Sequence, residues 1–124
     1  MTRPTERAAL PAGFRPVCLL LAAVLVFQLF YLGSQPFAAG LILPPWDKFA
    51  HLGVFAAIAA LLWFATEGRA PVLVIAAVML IGALDEIHQA SLPGRTADIL
   101  DFLTDTCAAL ATVMLLRLQR RVPT

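Results

Sequence analysis

The stretch "LDEIHQASLPGRTADILDFLTD", residues 84–105, decides how this chain folds, because it separates two apolar runs with a dense cluster of charge. Seven of its 22 residues are ionisable. The whole chain is 60% hydrophobic and only 14% charged, with a mean hydropathy of +0.85, whereas soluble domains are typically about 25% charged. A single water-soluble core of 124 residues could not bury this much apolar surface. We therefore expect lipid to be the solvent.

Four segments approach the roughly 20 apolar residues that a membrane-spanning helix needs. Their apolar pattern is helical or uniform and never alternating, and Pro16 and Pro71 lie where helices are expected to start. The sequence predicts an all-α, four-helix transmembrane bundle that forms one domain over residues 1–124, with helices at about 17–33, 47–66, 70–89 and 98–119. We interpret the first segment as a retained membrane helix, and a cleaved signal peptide is the alternative.

Basic residues near the span ends predict the orientation. Four spans place the N-terminal segment, the loop between the second and third spans and the C-terminal tail on one side, with seven arginines: Arg3, Arg7, Arg15, Arg69, Arg117, Arg120 and Arg121. The other side has only Lys48 and Arg95. We therefore expect both termini in the cytoplasm and the polar segments at the outer face. The apolar composition predicts the lipid bilayer as partner. The net charge of +1, without a basic stripe, predicts no nucleic-acid partner.

The polar residues of three spans are expected at one depth. Counting about 16 residues outward from Glu67, Arg69 and Arg117 reaches His51, Asp85 and Asp101, each about 24 Å from the inner boundary at 1.5 Å per residue. Ionisable groups at such a depth normally face a bundle interior or a wet cavity. The spacing predicts an outward-opening polar pocket, with these candidate site residues: Asp47, His51, Asp85, Glu86, Gln89, Arg95 and Asp101.

The predicted pocket is rich in acids. Its six carboxylates face two fixed positive charges, Lys48 and Arg95, besides His51 and His88; the acids are Asp47, Asp85, Glu86, Asp98, Asp101 and Asp105. Such an excess favours protonated acids, shared protons or a bound cation. Lys48 or Arg95 pairing with Asp85, Glu86 or Asp101 would instead make the cluster a structural network between helices.

Three motifs of the chain resemble the VanZ-like family of small membrane proteins. They are "DKFAH" (residues 47–51), "DEIHQ" (85–89) and "PGRTADILDFLTDT" (93–106), which fit the family's D-K-x-x-H, D-E-x-x-Q and G-R…D patterns. Asp105 stands where the family often has Asn, and Ala108 where it often has Gly. The resemblance implies a multi-pass protein of the bacterial cytoplasmic (inner) membrane and a link to resistance against the glycopeptide antibiotic teicoplanin.

Two classes of function follow. The first is a membrane enzyme or binder that handles a cell-envelope lipid or peptidoglycan precursor at the outer face; His51 suits proton transfer, and Arg95 suits a lipid-linked phosphate or a carboxylate. The second is a noncatalytic assembly partner or small transporter component, whose polar cluster is structural or conducts protons. The sequence shows no Ser/His/Asp nucleophile arrangement and no Gly-rich phosphate loop. Asp, His and Glu side chains on neighbouring helices could bind a hard or borderline divalent cation, but no HExxH or Cys-rich signature occurs, so whether a metal or other cofactor binds is left open.

A few residues are given ordinary structural roles. Cys18 and Cys107 are expected to be small buried side chains, and His88 a capping or surface residue. Gly53 and Gly82 are expected to permit close helix approach.

Overall fold

The computed structural model describes residues 11–121, which form four α-helices, one short 3-10 helix and no strand. The helices are α1 (Phe14–Gly33), α2 (Trp46–Ala65), α3 (Pro71–Ala90) and α4 (Ile99–Gln119), and the 3-10 helix spans Pro36–Ala38. All four α-helices are long and apolar enough to cross a membrane. The predicted fold class, an all-α four-helix bundle of membrane-spanning helices, is confirmed. Arg3 and Arg7, used for the predicted orientation, lie outside the described residues, and the side on which the termini lie stays a prediction.

Local sequence signals explain where α3 and α4 begin. Pro71 occupies the first position of α3, where the missing N–H costs nothing. Asp98 caps α4, because its side chain accepts a hydrogen bond of 2.8 Å from the N–H of Leu100. The connection between α2 and α3 is tight because Gly68 adopts a positive φ of +63°. A Cβ at Gly68 would lie 2.6 Å from side-chain atoms of Arg120 and of Trp63.

The interior of the bundle is narrow and its outside is apolar. The main core cluster joins α2, α3 and α4 through Phe55, Ile58, Ala59, Val78, Ala108 and Ala109. Large apolar side chains on the outer faces remain exposed, as Leu20 (63%) and Phe27 (64%) of α1 show. A soluble protein rarely exposes such continuous apolar surface, so these faces suit contact with lipid chains.

Two of the small-residue expectations are wrong. Cys107 is exposed on α4, whereas Cys18 is buried as expected, and both thiols are free. Gly53 approaches no neighbouring helix, since a Cβ built there has no atom of the described chain within 4 Å beyond its own local backbone. Gly82 does permit a close approach, because its Cβ would lie 3.0 Å from Oδ2 of Asp105 on α4. Periodicity along one helix cannot tell which face meets a neighbour and which meets lipid.

Candidate functional site

The polar residues of α2, α3 and α4 lie at the same end of the bundle. They belong to the first turns of α2, the last turns of α3 and the first turns of α4 with its cap. Five are buried although they are charged or polar: Asp85, Glu86, Gln89, Asp101 and Asp105. The structure therefore brings side chains from three helices, up to 58 positions apart in sequence, into one cluster.

Lys48 is the cation at the edge of this cluster. Its Nζ donates to Asp101 Oδ1 at 2.5 Å, to Asp98 Oδ2 at 2.7 Å and to Asp47 Oδ2 at 3.2 Å. These ion pairs tie the first turn of α2 to the start of α4. The hydrogen bond from Lys48, followed by the one from Leu100 N–H, lowers the pKa of the Asp98 carboxyl below its usual value.

His51 lies one turn deeper and meets Asp105. A hydrogen bond of 3.0 Å joins His51 Nδ1 and Asp105 Oδ1, and an ionised Asp105 accepts it from Nδ1–H. The Asp105 side chain has no exposed surface, and Gly82 of α3 leaves the space it fills. The His51 ring stacks on Phe55 with an interplanar angle of 3°, and its Nε2 lies 3.8 Å from Asp101 Oδ2. The imidazole is thus fixed in orientation on two sides.

The two acids of α3 have different partners. Asp85 Oδ2 accepts a hydrogen bond of 2.8 Å from Gln89 Nε2 one turn along the helix. Glu86 Oε2 accepts one of 2.6 Å from the backbone N–H of Asp98. Neither acid forms an ion pair with a lysine or arginine within residues 11–121. The predicted structural network is therefore realised by Lys48 with Asp101 but not by pairing at Asp85 or Glu86.

Arg95 carries a charge that no carboxylate of the described chain neutralises by direct contact. Its Nη1 donates to the carbonyl oxygen of Gly33 at 2.8 Å, and its Nη2 donates to Gln89 Oε1 at 3.3 Å. Both partners are neutral, and together they hold the guanidinium between the end of α1 and the end of α3. The other donors of its planar fork remain available for an anion.

His88 does more than cap a helix. Its Nε2 lies 3.1 Å from Ser34 Oγ, and its ring lies 5.2 Å from that of Phe30 between centroids. Ser34 donates its own proton to Phe30 O at 2.6 Å, so it accepts from Nε2–H of the histidine. His88 therefore attaches α3 to the end of α1 instead of lying free on the surface.

A cavity of about 430 Å³ adjoins the polar cluster. It lies between α1, the segment that connects α1 to α2, and the ends of α2 and α3. Most of its wall is apolar, and its polar lining consists of Gln28, Asp47, His51, Asp85, Gln89 and Arg95. The predicted pocket was placed between α2, α3 and α4 alone. The structure shows that their shared interior is filled by the ion pairs, while the open space lies on the α1 side.

Three residues that the sequence analysis counted among the charges of the pocket, but not among its candidate site residues, are central to the cluster: Lys48, Asp98 and Asp105. The sequence did carry signals for them. Lys48 is part of "DKFAH", and Asp98, Asp101 and Asp105 recur at the i, i+3 and i+7 positions of one helix face. All seven candidate residues lie at the cluster end of the bundle, and five of them line the cavity: Asp47, His51, Asp85, Gln89 and Arg95. Glu86 and Asp101 face the interior between helices. The functional role of each residue stays a prediction.

Together, the helices and the cluster define a multi-pass membrane protein with a polar site built into one end of a four-helix bundle. The chain belongs to the VanZ/LLP1 family, since the model of that family matches residues 14–120, from the start of α1 to the end of α4. Neither a comparison with curated proteins nor one with solved structures found a match for this chain.

Proposed function

We propose that this VanZ/LLP1 protein binds a lipid-linked cell-envelope precursor that carries a phosphate or carboxylate, with the lipid chain in the cavity and the anionic group at Arg95. The single observation that carries the proposal is the combination of a largely apolar cavity of about 430 Å³ with an arginine at its polar end that contacts only neutral partners. An amphipathic anion matches both parts of this cavity.

The apolar wall supports the choice of a lipid. Leu25, Leu29 and Leu32 of α1 lie on one side, and Val54 of α2 lies on another. The connecting segment adds Phe37, Leu41 and Ile42, and of these Phe37 (60%) and Leu41 (65%) are largely exposed. Exposed apolar side chains beside a cavity suit entry of a chain from the bilayer.

The charge distribution supports binding at the outer face. The opposite end of the bundle holds Arg15, whose Nε donates to Ala65 O at 3.0 Å, and Arg120, which donates to Glu67 O. Arg69 pairs with Glu67 at 2.9 Å. By the positive-inside rule, an arginine-rich end and an acid-rich end on one bundle support the proposal that the termini lie in the cytoplasm and the cavity lies at the outer leaflet of a bacterial inner membrane.

Binding of a fluorescent polyprenyl phosphate by the purified protein in detergent micelles tests this proposal. Arg95→Gln is expected to weaken binding about tenfold to a hundredfold, since a charge-assisted hydrogen bond contributes about 1.5–3 kcal/mol. Arg95→Lys keeps the positive charge but lacks the planar guanidinium group, so its affinity is expected to lie between those of the wild type and Arg95→Gln. Arg117→Gln is the matched control, an exposed arginine at the other end of the bundle.

Two further probes separate the parts of the cavity. The unphosphorylated polyprenol should bind much more weakly than the phosphate, and Ala38→Phe should reduce the binding of both by filling the cavity that Ala38 lines. The proposal fails if Arg95→Gln binds the phosphate as tightly as the wild type, or if the alcohol and the phosphate bind equally.

A second candidate is a noncatalytic assembly partner or small transporter component in which the cluster is structural. The three carboxylates around Lys48 favour it, because they join two helices without any ligand. Teicoplanin susceptibility of cells that produce each variant discriminates the candidates. If the site binds an envelope precursor, Arg95→Gln should abolish any protection against teicoplanin although the protein level is normal. If the cluster is structural, protection should be lost only in variants that have less folded protein.

A further inference from the structure

His51, Glu86 and Asp105 meet from three different helices at the centre of the cluster. Each offers one nitrogen or oxygen atom such that the three atoms all lie within 4.8 Å of one another. Glu86 is 7% exposed and Asp105 is 0% exposed, so bulk water does not solvate these carboxylates. We propose that these three residues form a binding site for a divalent transition-metal cation, Zn²⁺ or Mn²⁺.

Unpartnered oxygens support a ligand at this position. Glu86 uses Oε2 to accept from Asp98 N–H, whereas its buried Oε1 has no hydrogen-bond partner within residues 11–121. Asp105 uses Oδ1 to accept from His51, whereas its buried Oδ2 is likewise without a partner in that range. A buried carboxylate oxygen without a partner is costly, and two of them on residues that face one histidine favour a cation as their ligand.

The charge balance around the three residues leads to the same inference. The nearest lysine, Lys48, is engaged by three other carboxylates, those of Asp47, Asp98 and Asp101. Arg95 donates to Gln89 and Gly33. Within residues 11–121, neither Glu86 nor Asp105 forms an ion pair with a lysine or arginine, and the His51 imidazole is the basic group that contacts Asp105 directly. A divalent cation would neutralise both carboxylates at once.

The donor set selects the kind of metal. One imidazole nitrogen and two carboxylate oxygens suit the borderline cations Zn²⁺ and Mn²⁺ better than Mg²⁺ or Ca²⁺, which prefer oxygen alone. Ligands at about 2.1 Å from a tetrahedral zinc ion lie about 3.4 Å apart. The three ligand atoms lie within 4.8 Å of one another, so any pair that is too far apart needs to close by no more than about 1.4 Å. His51 Nδ1 and Asp105 Oδ1, now 3.0 Å apart, would separate slightly if a metal replaced the proton between them. Binding the metal is independent of the proposed lipid ligand and is measured without it.

The test uses the full chain in detergent, purified through a tag that contains no histidine, stripped with a chelator and then dialysed. Isothermal titration with Zn²⁺ and electron paramagnetic resonance with Mn²⁺ are expected to show one ion per chain. Glu86→Gln and Asp105→Asn keep the shape of the side chain. Each is expected to weaken the affinity for the metal about tenfold to a hundredfold, the loss typical of changes around a metal. Glu67→Gln is the matched control, a glutamate at the opposite end of the bundle that pairs with Arg15 and Arg69.

Thermal unfolding keeps the result interpretable if a variant is less stable. At one fixed Zn²⁺ concentration, the melting temperature of the wild type and of Glu67→Gln should rise, and that of Glu86→Gln should rise clearly less, because the stabilisation depends on the ratio of ligand concentration to dissociation constant. The proposal is overturned if the stripped, monodisperse wild type takes up far less than one Zn²⁺ or Mn²⁺ ion, or if Glu86→Gln and Asp105→Asn bind the metal like the wild type. Uptake of Ca²⁺ or Mg²⁺ alone would also overturn it, since His51 would then not be a ligand.

Discussion

Gly82 and Gly53 both lie inside apolar helices, but a methyl group would have opposite surroundings at the two positions. The Cβ of an alanine at position 82 would lie 3.0 Å from Asp105 Oδ2, 3.3 Å from Asp105 Cβ and 3.5 Å from Phe55. At position 53 it would meet nothing within 4 Å in the part of the chain that the structure describes. Gly82→Ala and Gly53→Ala therefore make a matched pair that differs in packing alone.

The expected difference follows from two opposing effects. Replacing glycine by alanine inside a helix gains about 0.5–1 kcal/mol at either position, because the unfolded glycine has more freedom. At Gly82 the methyl group must also displace a fully buried side chain, and overpacking typically costs about 1–3 kcal/mol. The helix contribution cancels between the two variants. We expect Gly82→Ala to be less stable than Gly53→Ala by about 1–3 kcal/mol.

The free energy of unfolding, measured by titration with a denaturing detergent from mixed micelles, checks this expectation. Gly53→Ala should unfold at the same or a slightly higher detergent fraction than the wild type, and Gly82→Ala at a lower one. The displaced Asp105 should also perturb its hydrogen bond of 3.0 Å to His51, visible as a changed histidine side-chain resonance in NMR. Equal stability of the two alanine variants would refute the close approach of α3 to α4 at Gly82.

Three other substitutions test further contacts by the same unfolding measurement. Lys48→Met removes the cation beside Asp101, whose side chain is only 10% exposed, and should lower the free energy of unfolding by about 2–3 kcal/mol, somewhat less than the loss for a fully buried pair. The control Arg69→Met removes a side chain that is 80% exposed and should lower it by at most about 1 kcal/mol. Equal losses would contradict the contacts of Lys48. Gly68→Ala should lower the free energy of unfolding by about 1–3 kcal/mol more than Gly40→Ala. Both glycines have a positive φ, but only at Gly68 would the new methyl group clash, with Arg120 and Trp63. Similar losses would argue against the tight α2–α3 connection. Because the Asp98 pKa is lowered, its carboxylate stabilises the folded state above its unfolded pKa of about 3.9 and stops doing so as the pH falls through the lower folded value. Asp98→Asn should thus be less stable than the wild type at about pH 6, and the difference should shrink as the pH falls below about 3.9; a difference that does not depend on pH would exclude the ion pair with Lys48.

Several features of the site could be predicted from the sequence because they depend on distance along one helix. The depth count placed His51, Asp85 and Asp101 at one level, and His51 Nε2 indeed lies 3.8 Å from Asp101 Oδ2. The i, i+4 spacing of Asp85 and Gln89 predicted a shared face, and the two are joined by a hydrogen bond of 2.8 Å. A regular rise and turn per residue is all that these inferences require.

Other features could not be predicted because they depend on how each helix is rotated about its axis. Arg95 was a possible partner for the acids, yet it binds Gly33 O at the end of α1. Gly53 and Cys107 were expected at contacts or in the interior, yet both lie on outer faces. A rotation of one residue, about 100°, exchanges a lipid-facing position for an interior one, and no signal in a uniformly apolar helix sets that angle.

The sequence by itself determined the solvent, the number of spanning helices and the end of the bundle at which charge collects, because hydropathy and length act locally along the chain. Only the tertiary structure decided which charges meet. The close approach of α3 to α4 at Gly82 rotates Asp105 toward His51, and the core around Phe55 and Val78 sets the distance between helices. The connecting segment then folds beside α1 and leaves the cavity there. These contacts join residues from distant parts of the chain, so their geometry is fixed by the packing of all four helices at once.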